Sequence, residues 1–304
     1  MQSAAIRIGT RGSPLALAQA DMVRALVEEG GGEGEIVPIR TTGDRITDRP
    51  LAEAGGKGLF TKEIDEALLD GRIDIAVHSA KDIPTFLPDG IVIAACLPRA
   101  DVRDAFISPH AERLVDLPKG ARLGTASLRR QALALRLRPD LAIVNLRGNV
   151  ETRLKRIAEG VADATLLAAA GLSRLGLLER ADDMMDVDQW LPAPGQGVIA
   201  ITAREEDGEM QGQLALANHY ESFVALQAER AFLAVLDGSC RTPIGALAER
   251  DHGGFRFRGI IVKPDGSEAH EIERRGSLGD AEAIGADAGE ALKRAGGPGF
   301  FTGH

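Results

Sequence analysis

Two arginines stand side by side just inside a helix start in Thr125-Ala126-Ser127-Leu128-Arg129-Arg130. Ser127 has the residue type of an N-cap, and the unpaired N–H groups of a helix's first turn already make that end positive. A cation is unfavourable there, so a pair of them makes sense where an anion fills the site. Arg147-Gly148-Asn149 and Arg153 bring two more guanidiniums to a second strand-to-helix junction, and Arg11 holds the matching place near the start of the chain. Any one of these is ordinarily a surface residue. Five beside strand ends and helix starts point to a polyanionic ligand, and the planar guanidinium fork suits carboxylates as readily as phosphates.

A second chemical segment, His78-Ser79-Ala80-Lys81-Asp82, follows the apolar run Ile73–Val77. That run reads as a strand, and α/β folds expose their sites at strand carboxyl ends. Two readings stay open: a solvated loop with a Lys–Asp pair, or a carboxylate, Asp82, facing a cleft where it stabilises a cation or relays a proton. Cys240, in Gly238-Ser239-Cys240-Arg241-Thr242-Pro243, lies in a turn after a helix, where Arg241 could activate the thiol. Spacing alone does not say what that thiol would attack. Cys96 closes the apolar run from Ile91 and reads as a buried small residue. Lys57 in Gly55-Gly56-Lys57-Gly58 fails the phosphate-loop pattern because glycine follows the lysine, and there is no G-x-G-x-x-G.

The elements that must position these residues alternate as α/β layers do. Strands are expected at Ile6–Ile8, Ile36–Arg40, Ile73–Val77, Ile91–Ala95, Ile143–Leu146 and Ala164–Ala170. Helices are expected at Leu15–Glu28 (capped by Ser13), Glu63–Leu69, Leu128–Leu137, Val150–Glu159 and Ser222–Leu236. Arg7-Ile8-Gly9-Thr10 before Ser13 echoes Arg122-Leu123-Gly124-Thr125 before Ser127. The echo suggests two lobes built alike around one cleft, though strand-Gly-Thr-helix is also common punctuation. Gly43–Gly58 reads as a mobile loop and Leu191–Gly197 as an inter-domain crossing. The last third, with strands Phe255–Val262 and Glu268–Arg274 and a helix near Ala281–Ala295, has the rhythm of a smaller α+β unit.

Composition sets the outer bounds. At 304 residues the chain suits two or three domains. Its 36 basic residues include only seven lysines, and 45 acidic residues leave a net charge of -9, which argues against a general nucleic-acid binder. Two cysteines are too few for a disulfide framework, and the six histidines show no metal-ligand spacing, so no metal is expected. No run approaches a membrane span and the opening residues lack a signal peptide's apolar core. A cytoplasmic setting is expected.

Seven segments in order resemble the porphobilinogen deaminase (hydroxymethylbilane synthase) family: RGSPLALAQA (11–20), GGKGLFTKEI (55–64), DIAVHSAKDIP (74–84), GTASLRRQ (124–131), LRGNVETRL (146–154), LPAPGQG (191–197) and GSCRTPIG (238–245). The resemblance implies an α/β fold of two periplasmic-binding-protein-like (type II) lobes with mixed sheets and a smaller α+β C-terminal domain. The domains would be 1–97 with 198–217, then 98–197, then 218–304. It implies a transferase of porphyrin and heme biosynthesis that condenses four porphobilinogen molecules head to tail, losing ammonia each time. It further implies one dipyrromethane cofactor, joined by a thioether to Cys240 and contacted by Lys81, Asp82, Thr125, Ser127, Arg129, Arg130 and Arg147. Substrate would be met by Arg11, Ser13, Arg147, Arg153 and Gln196, with Asp82 catalytic and Lys57 on a lid loop. The partner is the small molecule porphobilinogen, with no nucleic acid and no membrane, and the protein is expected to be a monomer. Ser239 stands where the family often has a second glycine, a change that leaves the thioether feasible. The competing reading is a two-lobed carboxylate-binding protein without chemistry; a nucleotide-dependent kinase fails for want of a phosphate loop.

Overall fold

The computed structural model describes residues 5–45, 58–236, 242–251 and 253–301. Among them the strands form three sheets. The first joins β1 (Ile6–Arg11), β2 (Gly34–Ile39), β3 (Ile75–Ser79) and β4 (Ile91–Cys96) with a much later strand, β10 (Ile199–Arg204), in the order β2-β1-β3-β10-β4. The second joins β5 (Asp104–Ile107), β6 (Arg122–Gly124), β7 (Ala142–Val144), β8 (Ala164–Ala168) and β9 (Asp183–Met184) in the order β7-β6-β8-β5-β9. In each, three parallel strands are followed by one running antiparallel, β10 against β3 and β5 against β8. The antiparallel strand is the one the chain brings in from the other sheet. Two lobes thus share a plan and are joined by two crossings, 97–103 and 191–198.

The first sheet is covered by α1 (Pro14–Glu29) and by α3 (Lys62–Leu69), which follows the single turn α2 (Thr42–Arg45). In the second lobe, α4 (Leu128–Leu137), α5 (Val150–Ala158) and α6 (Ala169–Arg174) each start where a strand has ended. After β10 come α7 (Gly208–Ala217) and α8 (Tyr220–Val235). The third sheet then stacks β11 (Ile244–Asp251), β12 (Gly254–Val262) and β13 (Ala269–Gly276) in sequence order, and α9 (Ala281–Gly296) closes the unit.

Alternation along β12 explains how this third unit is held. Phe255, Phe257 and Ile261 pack with Val224, Ala228 and Phe232 of α8, whereas Ile260 and Val262 join the second lobe's core beside Trp190 and Leu191. Leu226 of α8 packs instead with Ala80, Cys96 and Val198 of the first lobe. No helix among the described residues is long and apolar enough to cross a membrane.

Three expectations shift. The strand expected at Ile73–Val77 runs Ile75–Ser79, because β10 pairs with it through Ala200 opposite His78 and Ile199 opposite Ser79. His78 is therefore a buried strand residue, and burial, aided by nearby Arg11, pushes its pKa down to about 4. The run Ala164–Ala170 is a strand only to Ala168, after which α6 begins. Ile143–Leu146 gives way to Ala142–Val144, whose pairing with β6 runs from Arg122 opposite Ala142 to Gly124 opposite Val144.

Candidate active site

One wall comes from the first lobe. Ser13 caps α1, its hydroxyl oxygen accepting from Ala16 N at 3.3 Å, and Pro14 fills the first turn where an N–H is dispensable. Arg11, at the end of β1, lies with its guanidinium carbon 4.3 Å from the centre of the Phe60 ring. Past β3 the chain tightens into a short 3-10 turn, Ala80–Asp82. The crossing segment backs this turn closely: a Cβ on Gly195 would lie 3.0 Å from Lys81 N, and Gly195 has φ +75°, so glycine is needed there twice over. Asp82 is exposed and shares a pocket with Arg11, Ser13, Gln19 and Ser79.

The other wall is the second lobe. Thr125 Oγ1 accepts from Ser127 N at 3.1 Å, and Ser127 caps α4 by accepting from Arg130 N. The two arginines that follow are 4% and 5% exposed, and the anion their position calls for is in part internal. Asp104, fully buried at the start of β5, accepts from Arg130 Nη2 (2.7 Å) and Gln196 Nε2 (2.9 Å) on Oδ1. Its Oδ2 accepts from Arg129 Nη2 (2.7 Å) and Trp190 Nε1 (2.8 Å). Burial alone would raise this carboxyl's pKa; the two guanidiniums and their hydrogen bonds outweigh it and hold Asp104 far below the usual carboxylate range. Arg129 Nη1 also donates to Leu191 O at 2.9 Å.

Gln196 is fully buried. Its amide nitrogen donates to Val102 O and Asp104, and its oxygen lies 3.5 Å from Lys81 Nζ, so it bridges the walls from behind instead of presenting itself to the cleft. Asn149 caps α5 by accepting from Thr152 N at 2.8 Å, and Arg153, one turn in, donates through Nε to Gly148 O at 2.8 Å. The segments carrying Lys57 and Cys240 lie outside the described residues.

The walls face each other electrostatically. Burial and then Arg130 push Lys81 down to about 8, against the pull of Asp82 and Asp104. Burial and then Arg130 push Arg153 down to about 10, with Arg147 acting the same way and Asp82 opposing. Asp82 of the first lobe is thus close enough to act on a second-lobe arginine. Leu15 of α1 and Gly171 of α6 also meet across the gap, a Cβ on Gly171 falling 3.5 Å from Leu15 Cδ2.

Among the described residues charge in this cleft does not balance. Lys81, Arg129, Arg130 and Arg153 outnumber Asp82 and Asp104. The Nε–H groups of Arg129 and Arg130 are buried without a partner among the described residues, a state that native interiors rarely tolerate. Arg174, which nothing in the sequence marked out because a cation at a helix C-terminus is ordinary, adds another buried Nε–H without a partner. It donates through Nη2 to Gly197 O at 2.7 Å, and burial lowers its pKa to about 10. Desolvated cations with unmet donors fit a ligand that carries several carboxylates, as a dipyrromethane does.

Comparison with known proteins gives a consistent result. The family described as "Porphobilinogen deaminase, dipyromethane cofactor binding domain" matches residues 6–212, and "Porphobilinogen deaminase, C-terminal domain" matches 223–294. The porphobilinogen deaminase of Nitrobacter winogradskyi is 58% identical over 299 residues, covering 97% of this chain and 95% of that one. The chloroplastic porphobilinogen deaminase of Oryza sativa is 54% identical over 305 residues, covering 97% and 85%. Among solved structures, a nutrient-binding protein from Burkholderia cenocepacia bound to methionine aligns with a TM-score of 0.46 at 16% identity, covering 70% of this chain and 91% of that one.

Proposed function

The chain belongs to the porphobilinogen deaminase family, and we propose that it condenses four porphobilinogen units with loss of four ammonia molecules on a dipyrromethane held through Cys240, releasing hydroxymethylbilane when one water adds at the bond to the dipyrromethane. The observation that carries this is the cleft: an exposed carboxylate, Asp82, among more desolvated cations than internal anions. Bound dipyrromethane supplies a fixed pyrrole for the growing chain and acidic arms for the cations to hold.

Lys81, Arg129, Arg130 and Arg147 would pair with those arms. Ser127 and Thr125 use oxygen lone pairs within the protein and keep their hydroxyl protons for a carboxylate. Arg11, Ser13, Arg147 and Arg153 would take the acetate and propionate of the incoming unit. Asp82 stabilises the positive charge that develops on porphobilinogen as ammonia leaves, and accepts the proton from the carbon that is joined; such a fixed group is worth about 10²–10³ in turnover. For Gln196 the support favours a bridging role over direct contact with substrate.

Three further assignments belong to this reading. The sheets support the division into 1–97 with 198–217, 98–197 and 218–304. A cytoplasmic setting is supported by the low cysteine count, two in the whole sequence. Because every group invoked comes from one chain, the monomer suffices.

Asp82→Ala tests the proposal. The variant should unfold at the same urea concentration as the parent and carry the same covalent mass, yet lose at least about a hundredfold in turnover. Parent-like rates would remove Asp82 from the chemistry. A parent protein with no adduct on Cys240 would favour a binding protein instead.

A further inference from the structure

The hairpin between β12 and β13 turns at Lys263-Pro264-Asp265-Gly266, closed by Gly266 N donating to Lys263 O at 2.8 Å. Proline at the second position, an Asp and a glycine at φ +75° are what such a turn asks for. The φ requirement alone would also admit asparagine. The neighbour does not.

The tip lies on the backbone of α4. A Cβ on Gly266 would fall 2.4 Å from Arg136 N, 2.8 Å from Ala132 O and 2.8 Å from Leu135 C. Arg136 and Ala132 are four apart, the pair an α-helix joins by its own hydrogen bond, so no side-chain rotation can make room. Gln131 Nε2 donates to Pro264 O at 3.2 Å and Arg136 Nη1 to Glu271 on β13 at 2.6 Å, flanking the contact on both sides. The first turn of the same helix carries Arg129 and Arg130. The hairpin's own domain supplies the segment that contains Cys240, between α8 and β11.

We propose that Gly266 is a positioning residue: by seating the hairpin directly on α4, it holds the C-terminal unit, whose sequence includes Cys240, against the helix that carries the arginine pair. The inference rests on the function proposed above. A tethered ligand is gripped well only if tether and grip are held in register. A methyl group at residue 266 would force hairpin and helix apart by about 1 Å, and a misplacement of that size can cost about a hundredfold even from outside the chemistry.

Three variants separate displacement from backbone strain. Gly266→Ala adds both a strained φ and the clash. Gly266→Asn tolerates the φ but keeps the clash. Gly253→Ala, in the β11–β12 turn at φ +89° with nothing within 4 Å of a Cβ, adds strain alone. Each is purified with its adduct and assayed well below its unfolding midpoint for KM and kcat on porphobilinogen, with intact-mass profiles of the chain lengths present during turnover. Both Gly266 variants should lose about 10- to 100-fold in kcat/KM and pile up a short chain length, while Gly253→Ala stays within about twofold of the parent. Gln131→Leu, which removes one flanking bond without strain, should shift the profile the same way to a smaller extent and keeps the test alive if the Gly266 variants do not fold. Parent-like kinetics in Gly266→Asn, an equal loss in Gly253→Ala, or an unshifted Gln131→Leu profile when the Gly266 variants cannot be assayed would overturn the proposal. A parent protein without an adduct would instead sink the function it rests on.

Discussion

Replacing Asp104 with asparagine keeps the shape and removes the charge, so it measures what one buried carboxylate does for the cleft. Each oxygen accepts two donors: Oδ1 from Arg130 and Gln196, Oδ2 from Arg129 and Trp190. Whichever way the amide is turned, its NH2 faces two N–H groups and leaves both without an acceptor. A stranded buried donor costs about 1–3 kcal/mol, so two cost about 2–6 kcal/mol. That range overlaps the roughly 3–5 kcal/mol seen when one partner of a buried ion pair is removed. Urea unfolding should therefore show a loss of about 3–5 kcal/mol. The one arginine left without its acceptor should also be held in place less well for a ligand carboxylate: loss of one charged hydrogen bond at about 1.5–3 kcal/mol is about a 10- to 150-fold weaker interaction. Intact mass should show a smaller fraction carrying the adduct, and KM should rise in the fraction that does. Asp104→Asn with the parent's urea midpoint, full adduct occupancy and unchanged KM would refute the reasoning.

Two other predictions use the same cleft. Lys81 is charged only below about 8 in the folded protein, against 10.5 for the free side chain. In protein without the adduct Lys81 should therefore release its proton near 8, and the cofactor carboxylate proposed to pair with it should hold that proton to higher pH in protein that carries the adduct, a difference that NMR titration of the Lys81 ammonium reads. Stability follows the same proton: between about 8 and 10.5 the unfolded chain keeps a proton that the folded one has released, so this residue opposes folding less and less as pH rises. Lys81→Met should accordingly unfold at higher urea than the parent at pH 7, a gain that disappears in strong alkali. Arg153→Leu and Arg129→Leu should part company. The first should raise KM without loss of stability, because Arg153 donates only to Gly148 O among the described residues and is desolvated. The second should raise KM and unfold early, because it strips Asp104 and Leu191 O of a donor.

The helix starts were readable in the sequence because capping is local. Ser13, Ser127 and Asn149 each satisfy an N–H three residues on, and the residue types that do this are few. The arginine pair was readable as a demand for an anion. Asp104 as part of the answer was not, since its donors stand at 129, 130, 190 and 196 and nothing near residue 104 marks it. For the same reason β3 was placed two residues early: its partner β10 lies some 120 residues away, and the pairing of His78 with Ala200 has no local signature. Gln196 was legible as part of a motif, but its side chain turns inward toward Val102 and Asp104, which only the meeting of the two crossings brings within reach.

Charge imbalance has a consequence for the ligand-free protein. Among the described residues four cations, Lys81, Arg129, Arg130 and Arg153, gather around two carboxylates and repel one another in a medium where charges are poorly screened, and the lowered pKa values of Lys81 and Arg153 register that repulsion beside the cost of burial. The cleft is therefore under electrostatic stress until carboxylates arrive. The same arrangement that recognises a polyanion destabilises the fold without one. A group fixed by a covalent bond is present on the folded and the unfolded chain alike, but only the folded cleft gathers cations around its carboxylates, so its contacts there favour the fold. Protein carrying the adduct should consequently melt above protein lacking it, with the gap narrowing in high salt as the repulsion is screened. A salt-independent gap would mean that the adduct stabilises by packing alone, and that the cations in the cleft are too well solvated to strain it.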